Sequence, residues 1–347
     1  MFSVHPQRRL WSTSACAIAA SISLAACGGG SNAILPHAAG QGAAASQRSS
    51  SETVVRSATS NTWSAGAPLP TRRYGAAAAV IGTKIYVIGG FSTHGDLGKN
   101  EIYDTTTNTW KSGAPMPTKR AGLALSAVNG IVYAIGGSNA GASLTTVEAY
   151  DPVHDTWSAK ASLPTAVDSA DAAVDNGLIY VVGGFSSVTG MRLSTVETYN
   201  ATTNVWGTVT PLTVAKSGSF SATVGANIVS AGGFSSAGHA TDDNELYKVT
   251  RNSWTTERIM PSTRSSGCAA GIGGSLYAAG GVKTNTSTSN ALAAFDVTTD
   301  TWSTLAPMPF AVVAPASATV NGLLYCFGGA NKTPPTSYFN YVQIYQP

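Results

Sequence analysis

The chain has 347 residues, of which 37 are glycine and only 11 % are charged. This length points to a repeat array or a barrel, and the abundance of Gly, Thr, Val, Tyr and Ser is typical of many short strands joined by tight turns. The formal net charge is +3, and it falls to +1 without Arg8 and Arg9, which lie in a segment that we expect to be removed. So small a charge gives no support for binding of nucleic acid by bulk electrostatic attraction, which needs a strongly basic face.

Residues 1–26 have the features of a secretion signal. A positively charged start is followed by an apolar stretch that is shorter than the roughly 20 residues needed to span a bilayer. The stretch ends in Leu24-Ala25-Ala26-Cys27. This segment resembles the lipobox of bacterial lipoproteins, which implies that Cys27 becomes the acylated N-terminal residue, and Gly28 after it is similar to the pattern of outer-membrane sorting. The alternative is an ordinary signal peptide cut near Ala26.

Residues 27–60 are rich in Gly, Ser and Ala and contain few large apolar side chains. Such a segment cannot bury enough apolar surface to offset the entropy of ordering. We therefore expect a flexible tether that holds the folded part of the protein away from the membrane.

Two markers recur with one period through the rest of the chain. The tryptophans are spaced by 47, 47, 49, 48 and 48 residues, and pairs of glycines follow the same spacing. Two markers in phase over this length predict stacked supersecondary units. The markers are Trp63, Trp110, Trp157, Trp206, Trp254 and Trp302, with Gly89-Gly90, Gly136-Gly137, Gly183-Gly184, Gly232-Gly233, Gly280-Gly281 and Gly328-Gly329.

Each unit has the pattern of four strands. In the first unit an apolar run, 84–88, precedes the glycine pair, a second segment, 101–104, follows it, and a Thr/Asn turn leads to Trp110. The glycine pair, the Tyr-Asp and the Trp at these offsets resemble kelch repeats over residues 61–347. The resemblance implies an all-β, six-bladed β-propeller with four antiparallel strands per blade, in which the glycines admit neighbouring groups and the Trp and Tyr rings fill the space between blades.

The two ends of the repeat region complement each other. The region starts with a lone fourth strand around Trp63 and stops after a third strand at 342–345. We expect the N-terminal strand to complete the last blade and close the ring, which removes the open sheet edges.

Cys268 and Cys326 are the cysteines of the repeat region. They fall in the first strand of blade 5 and the second strand of blade 6. An oxidising compartment permits a disulfide between them, but we expect two separately buried thiols.

A cation stands ten residues after four of the six tryptophans. In the ligand-binding hypothesis these cations surround the channel mouth and clamp a carboxylate, a phosphate or an acidic peptide. In the alternative, each pairs with the glutamate that opens the third strand of its blade, and Arg264, whose blade has Ala293 there, pairs with Glu245 of the neighbouring blade. The positions are Arg73, Arg120, Val167, Lys216, Arg264 and Val312, with glutamates at Glu101, Glu148, Glu197 and Glu245.

Aromatic residues are concentrated where the ring closes. The loop 332–341 contains Tyr338 and Tyr341, and ring closure places it beside Arg72, Arg73 and Tyr74. Aromatic faces near arginine suit a sugar ring, especially an acidic one, although the same rings could simply pack the closing blade. Three phenylalanines directly after glycine pairs could line the rim or pack beneath it: Phe91, Phe185 and Phe234.

Catalytic motifs are absent: the sequence has no G-x-S-x-G, H-E-x-x-H or C-x-x-C. His94 and His239 fall in loops of blades 1 and 4, on opposite sides of the ring, so we expect no metal and no cofactor. A resemblance to the sialic-acid mutarotases, which are six-bladed kelch proteins, implies an alternative in which an Arg holds a carboxylate and Asp168, Asp171 or a third-strand Glu acts as acid or base.

The sequence therefore predicts a membrane-anchored kelch lipoprotein that acts as a non-enzymatic protein- or glycan-binding module. The ligand would bind on the face formed by the 2–3 loops and 4–1 connections, and the alternative function is a sugar epimerase or mutarotase. We expect a monomer in the bacterial cell envelope, at the outer membrane, with an anionic ligand favoured by the cations and no role for nucleic acid. The candidate ligand-binding residues are Arg73, Arg120, Lys216, Arg264, Tyr74, Tyr338 and Tyr341, and Cys27 is the lipidation site.

Overall fold

The computed structural model of the protein describes residues 61–283, 287–332 and 334–347. The predicted signal, 1–26, the lipidation site Cys27 and the tether, 27–60, lie outside these residues. The described part forms six sheets of four antiparallel strands each. The prediction of an all-β, six-bladed propeller is thus confirmed. A 3-10 turn, Val249–Arg251, is the one helical segment in this part of the chain, where no helix is long and apolar enough to cross a membrane.

The strands of each blade follow chain order from the centre of the ring outward, except that the outer strand of blade 6 comes from the N-terminal end. The strands are Ala77–Ile81, Lys84–Ile88, Asn100–Asp104 and Thr109–Gly113 in blade 1; Ala124–Val128, Ile131–Ile135, Val147–Asp151 and Thr156–Ala159 in blade 2; Asp171–Asp175, Leu178–Val182, Val196–Asn200 and Val205–Val209 in blade 3; Phe220–Val224, Asn227–Ala231, Asn244–Lys248 and Ser253–Thr256 in blade 4; Cys268–Ile272, Ser275–Ala279, Leu292–Asp296 and Thr301–Leu305 in blade 5; and Ala316–Val320, Leu323–Phe327, Val342–Gln346 and Thr62–Ala65 in blade 6.

The second strands form the centre of the hydrophobic core. Ile85, Val87 and Ile88 are fully buried, as are the equivalent residues of the other blades, because both faces of each sheet pack against a neighbouring sheet. A strand buried on both faces has a continuous apolar sequence, which explains the uninterrupted runs before the glycine pairs. The first strands lie against one another around the axis and line a central channel.

The glycine pairs allow adjacent blades to approach closely. Gly89 and Gly90 have φ angles of 70° and 99°, a region that favours glycine. A Cβ atom on Gly89 would lie 2.7 Å from the carbonyl oxygen of Arg120 in the next blade. Gly90 donates its N–H to that same oxygen at 2.9 Å. The predicted role of these glycines in admitting a neighbouring group is therefore confirmed.

Each outer strand carries a polar clamp on the preceding blade. In blade 1, Trp110 Nε1 donates to the carbonyl of Ala67 at 2.9 Å, and Asn108 Oδ1 accepts from the N–H of Ala67 at 2.6 Å. Tyr103 also donates its hydroxyl to Asn108, at 2.5 Å. We call this arrangement the interblade clamp. Its Asn or Asp members all have positive φ: Asn61, Asn108, Asp155, Asn204, Asn252 and Asp300.

The N-terminal strand closes the ring as predicted. Thr62–Ala65 pairs antiparallel with the third strand of blade 6, where Trp63 faces Tyr345. The interblade clamp also forms at this position. Trp63 Nε1 donates to the carbonyl oxygen of Ala306, and Asn61 Oδ1 accepts a hydrogen bond from the N–H of Ala306. Blades 5 and 6 are thereby joined in the same way as the other neighbours.

The prediction of two separate thiols is wrong. Cys268 and Cys326 form a disulfide, with their Cα atoms 6.1 Å apart. The first strand of blade 5 packs against the second strand of blade 6, so that the two side chains meet in one apolar cluster between the blades.

Candidate functional site

The upper face of the propeller bears the candidate residues. We use this term for the loops between second and third strands together with the connections from each outer strand to the next first strand. Short two-residue strands stiffen this face. They pair Phe91–Ser92 with Gly95–Asp96, Ser138–Asn139 with Ala142–Ser143, Phe185–Ser186 with Met191–Arg192, and Lys216–Ser217 with Phe234–Ser235.

Six backbone amides, one from each blade connection, form a closed circle at the upper mouth of the channel. Each N–H donates to the carbonyl of its counterpart in the preceding blade, at 2.6–2.8 Å. All six residues have φ between 49° and 63°. This amide ring consists of Gly75, Gly122, Ser169, Gly218, Ser266 and Ala314. It narrows the mouth and fixes the backbone on which the neighbouring site residues stand.

Three of the four predicted cations lie beneath the upper face. Their residues are at most 1 % exposed. Each pairs with the glutamate of its own blade: Arg73 with Glu101 at 3.0 Å, Arg120 with Glu148 at 2.6 Å, and Lys216 with Glu245 at 3.0 Å. Each also donates to a carbonyl of the second strand. The structure thus has the ion pairs of the alternative interpretation, which bury the three cations against glutamates.

Arg264, the fourth cation, is fully buried without a carboxylate. Its Nη1 donates to the carbonyls of Gly280, at 2.9 Å, and Ala291, at 3.0 Å, and its guanidinium lies 5.2 Å from the centre of the Phe220 ring. Burial lowers the pKa of Arg264 to about 10, which leaves it charged at neutral pH. The suggested pairing with Glu245 does not occur, since that glutamate binds the lysine of its own blade.

Blades 3 and 6 have no cation at this position. In blade 3, Val167 takes its place, and the buried Glu197 accepts a hydrogen bond from Thr165 at 2.8 Å. Burial raises the pKa of Glu197 above its usual value. In blade 6, Val312 replaces the cation and Gln343 the glutamate. With both charges replaced, these two positions of blade 6 are neutral, whereas blade 3 keeps a carboxyl group without a cation at the equivalent position.

Three aromatic rings meet on the upper face between blades 6 and 1. Tyr74 and Tyr338 stack with ring centres 5.5 Å apart and planes inclined by 16°, and Phe91 lies 5.8 Å from Tyr74. All three are partly exposed. We call them the seam cluster. Tyr341 is separate from it, because its ring stacks on Phe310 at 4.3 Å beside the outer strand of blade 6.

A second aromatic group lies between blades 3 and 4. The guanidinium of Arg192 is 4.5 Å from the centre of the Phe234 ring and 5.9 Å from that of Phe185. We call these three residues the sandwich cluster. The exposed Val188 and Met191 belong to the same loop of blade 3. The two phenylalanines were identified from the sequence, but Arg192 was not. The feature that could have predicted its position is that it lies eight residues after a glycine pair, in the same loop as Phe185.

The central channel has a volume of about 480 Å³ and walls made mostly of alanine. Asp171 is the one ionisable side chain among the described residues that line it. Ser219 Oγ donates to Asp171 Oδ2 at 2.5 Å, and Ser221 Oγ lies 3.2 Å from the same oxygen. Burial raises the pKa of Asp171 to about 7, against the opposing effect of these hydroxyls.

The described residues contain no group of three or more His, Cys, Asp or Glu side chains placed to hold a metal ion. His94 and His239 are exposed in loops of blades 1 and 4. His154 lies on the opposite face, where its Nδ1 is 2.6 Å from Asp151.

Two family models match the chain. The KLHDC2/KLHL20/DRC7 Kelch-repeats domain matches residues 37–233, which is more than half of the sequence, and the Kelch motif matches residues 263–309. No curated protein matches this chain. The matches agree with the repeats seen in the sequence and with the blades seen in the structure.

Proposed function

Since the chain belongs to the kelch-repeat family, whose β-propellers support protein binding, we propose that it is a non-enzymatic protein-binding module with its docking site on the upper face. The observation that carries the proposal is the pair of partly exposed clusters on this face. The seam cluster lies between blades 6 and 1, and the sandwich cluster lies between blades 3 and 4. In a six-bladed ring these two positions are diametrically opposed.

Aromatic and arginine side chains supply much of the binding energy at protein interfaces, because they bury large areas with few rotatable bonds. Tyr74 and Tyr338 present such surfaces on one side of the channel mouth. Arg192 does so with Phe185 and Phe234 on the other, and all of these residues are partly exposed. A single sugar ring would touch one cluster alone. A protein surface that covers the mouth would contact both, so the proposal favours a protein over a glycan.

The alternative, an acidic-sugar mutarotase, is less well supported. It requires an arginine free to hold the carboxylate of the sugar beside an acid or base. Arg73 and Arg120 are buried against glutamates, and Arg264 is bound to backbone carbonyls. Asp171 could serve as the acid or base, but it lies in the channel without a neighbouring arginine among the residues that line it.

We further propose that this module is displayed from a bacterial membrane. Leu24-Ala25-Ala26-Cys27 supports acylation of Cys27, and the 34 residues from 27 to 60 would form the tether. More than one acyl chain gives stable anchoring that a single chain does not. The docking face would then meet partners in the cell envelope.

Replacement of both tyrosines tests the docking site. We expect wild-type protein to retain an envelope protein from detergent extracts, and the Tyr74→Ser/Tyr338→Ser variant to retain it at least tenfold less. Val153→Ser is the matched control, because Val153 is 84 % exposed on the opposite face. Equal retention by the tyrosine variant, or catalysed anomer exchange of an acidic sugar by the wild type, would contradict the proposal.

The anchor is tested separately. The Cys27→Ser variant should leave the membrane fraction for the soluble fraction, whereas Cys268→Ser, which keeps the lipobox, should remain with the membrane. An unchanged distribution of the first variant would exclude acylation at this residue, without bearing on the docking site.

A further inference from the structure

The channel contains a polar group that the proposed docking function does not use. At the position of Asp171, the other first strands have Ala, Phe or Cys. The neighbouring blade supplies Ser219 and Ser221, with Ser230 behind them at 3.1 Å from Ser221. Asp171 also borders the space enclosed by the amide ring, which places it at the upper end of the channel. We call Asp171, Ser219 and Ser221 the channel site; Asp171 and Ser221 border the channel, and Ser219 is buried behind them.

The channel site offers acceptors to a ligand. Each serine hydroxyl has one hydrogen, and the three hydroxyls direct theirs within the cluster, to Asp171 or to one another. An ionised carboxylate accepts only. A ligand that satisfies this site must therefore donate several hydrogen bonds and accept none.

The charges around Asp171 favour a cation. Lys216 is the nearest positive group, and it is bound to Glu245 at 3.0 Å, so the two form a neutral pair. Nothing else that is charged lines the described wall of the channel. A cation in the channel would thus face an uncompensated carboxylate that is partly removed from water, where attraction is stronger than in bulk water.

Among cations, a primary ammonium fits best. Ca²⁺ and Mg²⁺ prefer six or more oxygen ligands, and Zn²⁺ prefers nitrogen and sulfur ligands, and this site supplies neither set. An ammonium has three donors and no acceptor. The channel, with a volume of about 480 Å³, continues from Asp171 toward the lower mouth along the first strands and has room for the carbon chain of a small amine. We propose that the channel binds a small primary amine in its protonated form, with the ammonium on Asp171 and the stem along the first strands.

Calorimetric titration of the full-length protein with n-butylammonium at pH 8 tests this. For a ligand of five heavy atoms we expect a Kd on the order of 1 mM. Asp171→Asn should weaken binding more than tenfold, and Ser219→Ala/Ser221→Ala should weaken it severalfold. Thr319→Val is the matched control, because it removes a hydroxyl from the channel wall in another blade, and its Kd should stay unchanged.

The uncharged analogue 1-butanol has the same stem and separates the ammonium from simple filling of the channel. Equal affinity for 1-butanol, equal affinity of Asp171→Asn for the amine, or no binding by the wild type would each overturn the proposal. The thermal transition of every variant shows that it is folded. Because the tyrosines of the seam cluster are untouched, failure here leaves the docking proposal standing, and the reverse also holds.

Discussion

Glu148 and Glu197 occupy the same position in adjacent blades but have different partners. Glu148 pairs with Arg120 at 2.6 Å. Glu197 has no such partner, because Val167 stands at the position of the cation in its own blade. A buried carboxylate without a counterion is costly to ionise, which is why burial raises the pKa of Glu197. The ionised glutamate therefore stabilises the folded protein in blade 2, where it has a cation, and destabilises it in blade 3, where it has none.

Replacing each glutamate by glutamine makes the difference measurable. Glu148→Gln leaves Arg120 charged and unpaired in the core, and we expect the free energy of unfolding to fall by about 3 kcal/mol at pH 7. Glu197→Gln keeps an acceptor for Thr165 and removes the desolvated charge, so we expect no loss or a gain of up to about 1 kcal/mol. Chemical denaturation of the two variants and the wild type gives both values.

The dependence on pH provides the control. When the pKa of a carboxyl group is higher in the folded than in the unfolded protein, the protonated group favours the folded state at low pH. This contribution to the free energy of unfolding is lost as the pH rises through the folded pKa. The stability difference between Glu197→Gln and the wild type should therefore grow as the pH rises from 4. A constant difference, or a loss as large as in Glu148→Gln, would contradict the assignment.

At the scale of elements, the interblade clamp shows the effect of a single missing hydroxyl. In blade 3, Tyr199 donates to Asn204 at 2.7 Å. In blade 5, Phe295 is fully buried at the position of the tyrosine, and Asp300 accepts from the N–H of Arg258 without a phenol. Blade 5 thus keeps the packing of the clamp and lacks one of its hydrogen bonds.

Exchange of the two aromatic residues tests the value of that bond. Phe295→Tyr restores the donor opposite Asp300 and should raise the free energy of unfolding by about 1 kcal/mol, whereas Tyr199→Phe should lower it by about the same amount. Thermal or chemical unfolding of the pair measures both. Destabilisation by both substitutions would show that blade 5 has no room for the hydroxyl and that the clamps are not equivalent.

The elements of the fold were predictable because each blade repeats the same order of strands, glycine pair and tryptophan. Trp110 and the glycine pair at Gly89 recur six times in phase, so the period and the number of units could be inferred from spacing, and the resemblance to kelch repeats implied that these units are the blades of a closed ring. Contacts between particular blades could not. The disulfide of Cys268 and Cys326 and the cation–π contact of Arg192 with Phe234 depend on which side chains meet across one interface, and spacing carries no information about that.

The cations illustrate the same limit at the candidate site. The sequence placed Arg73 and its equivalents at the mouth of the channel in the correct register, and it supported both a ligand clamp and an ion pair. The side chain extends beneath the upper face to Glu101, where it is buried. Register determines the height of a residue in the blade, whereas its exposure depends on the loops that cover it.

At the scale of the whole molecule, stability depends on a closed ring. The last blade obtains its outer strand, Thr62–Ala65, from the opposite end of the chain, and that strand also carries the clamp between blades 5 and 6. Without it the third strand, Val342–Gln346, would become an exposed edge, and Ala306 would lose both of its clamp bonds. Closure by one short strand therefore affects two blades at once.

Removal of this strand should destabilise the propeller far more than removal of the segment before it. We expect a chain of residues 61–347 to unfold at the temperature of the full-length protein, and a chain of residues 67–347 to unfold about 10 °C lower, since a loss of roughly 3–4 kcal/mol shifts the transition by a few degrees per kcal/mol in a domain of this size. A synthetic peptide of residues 58–68 should restore part of the difference in a concentration-dependent manner, because it binds only the folded ring. The same peptide with Trp63→Ala should restore less, since it lacks the indole that donates to Ala306. If the two chains unfolded at the same temperature, the ring would be held by the other five interfaces alone and the N-terminal strand would be dispensable.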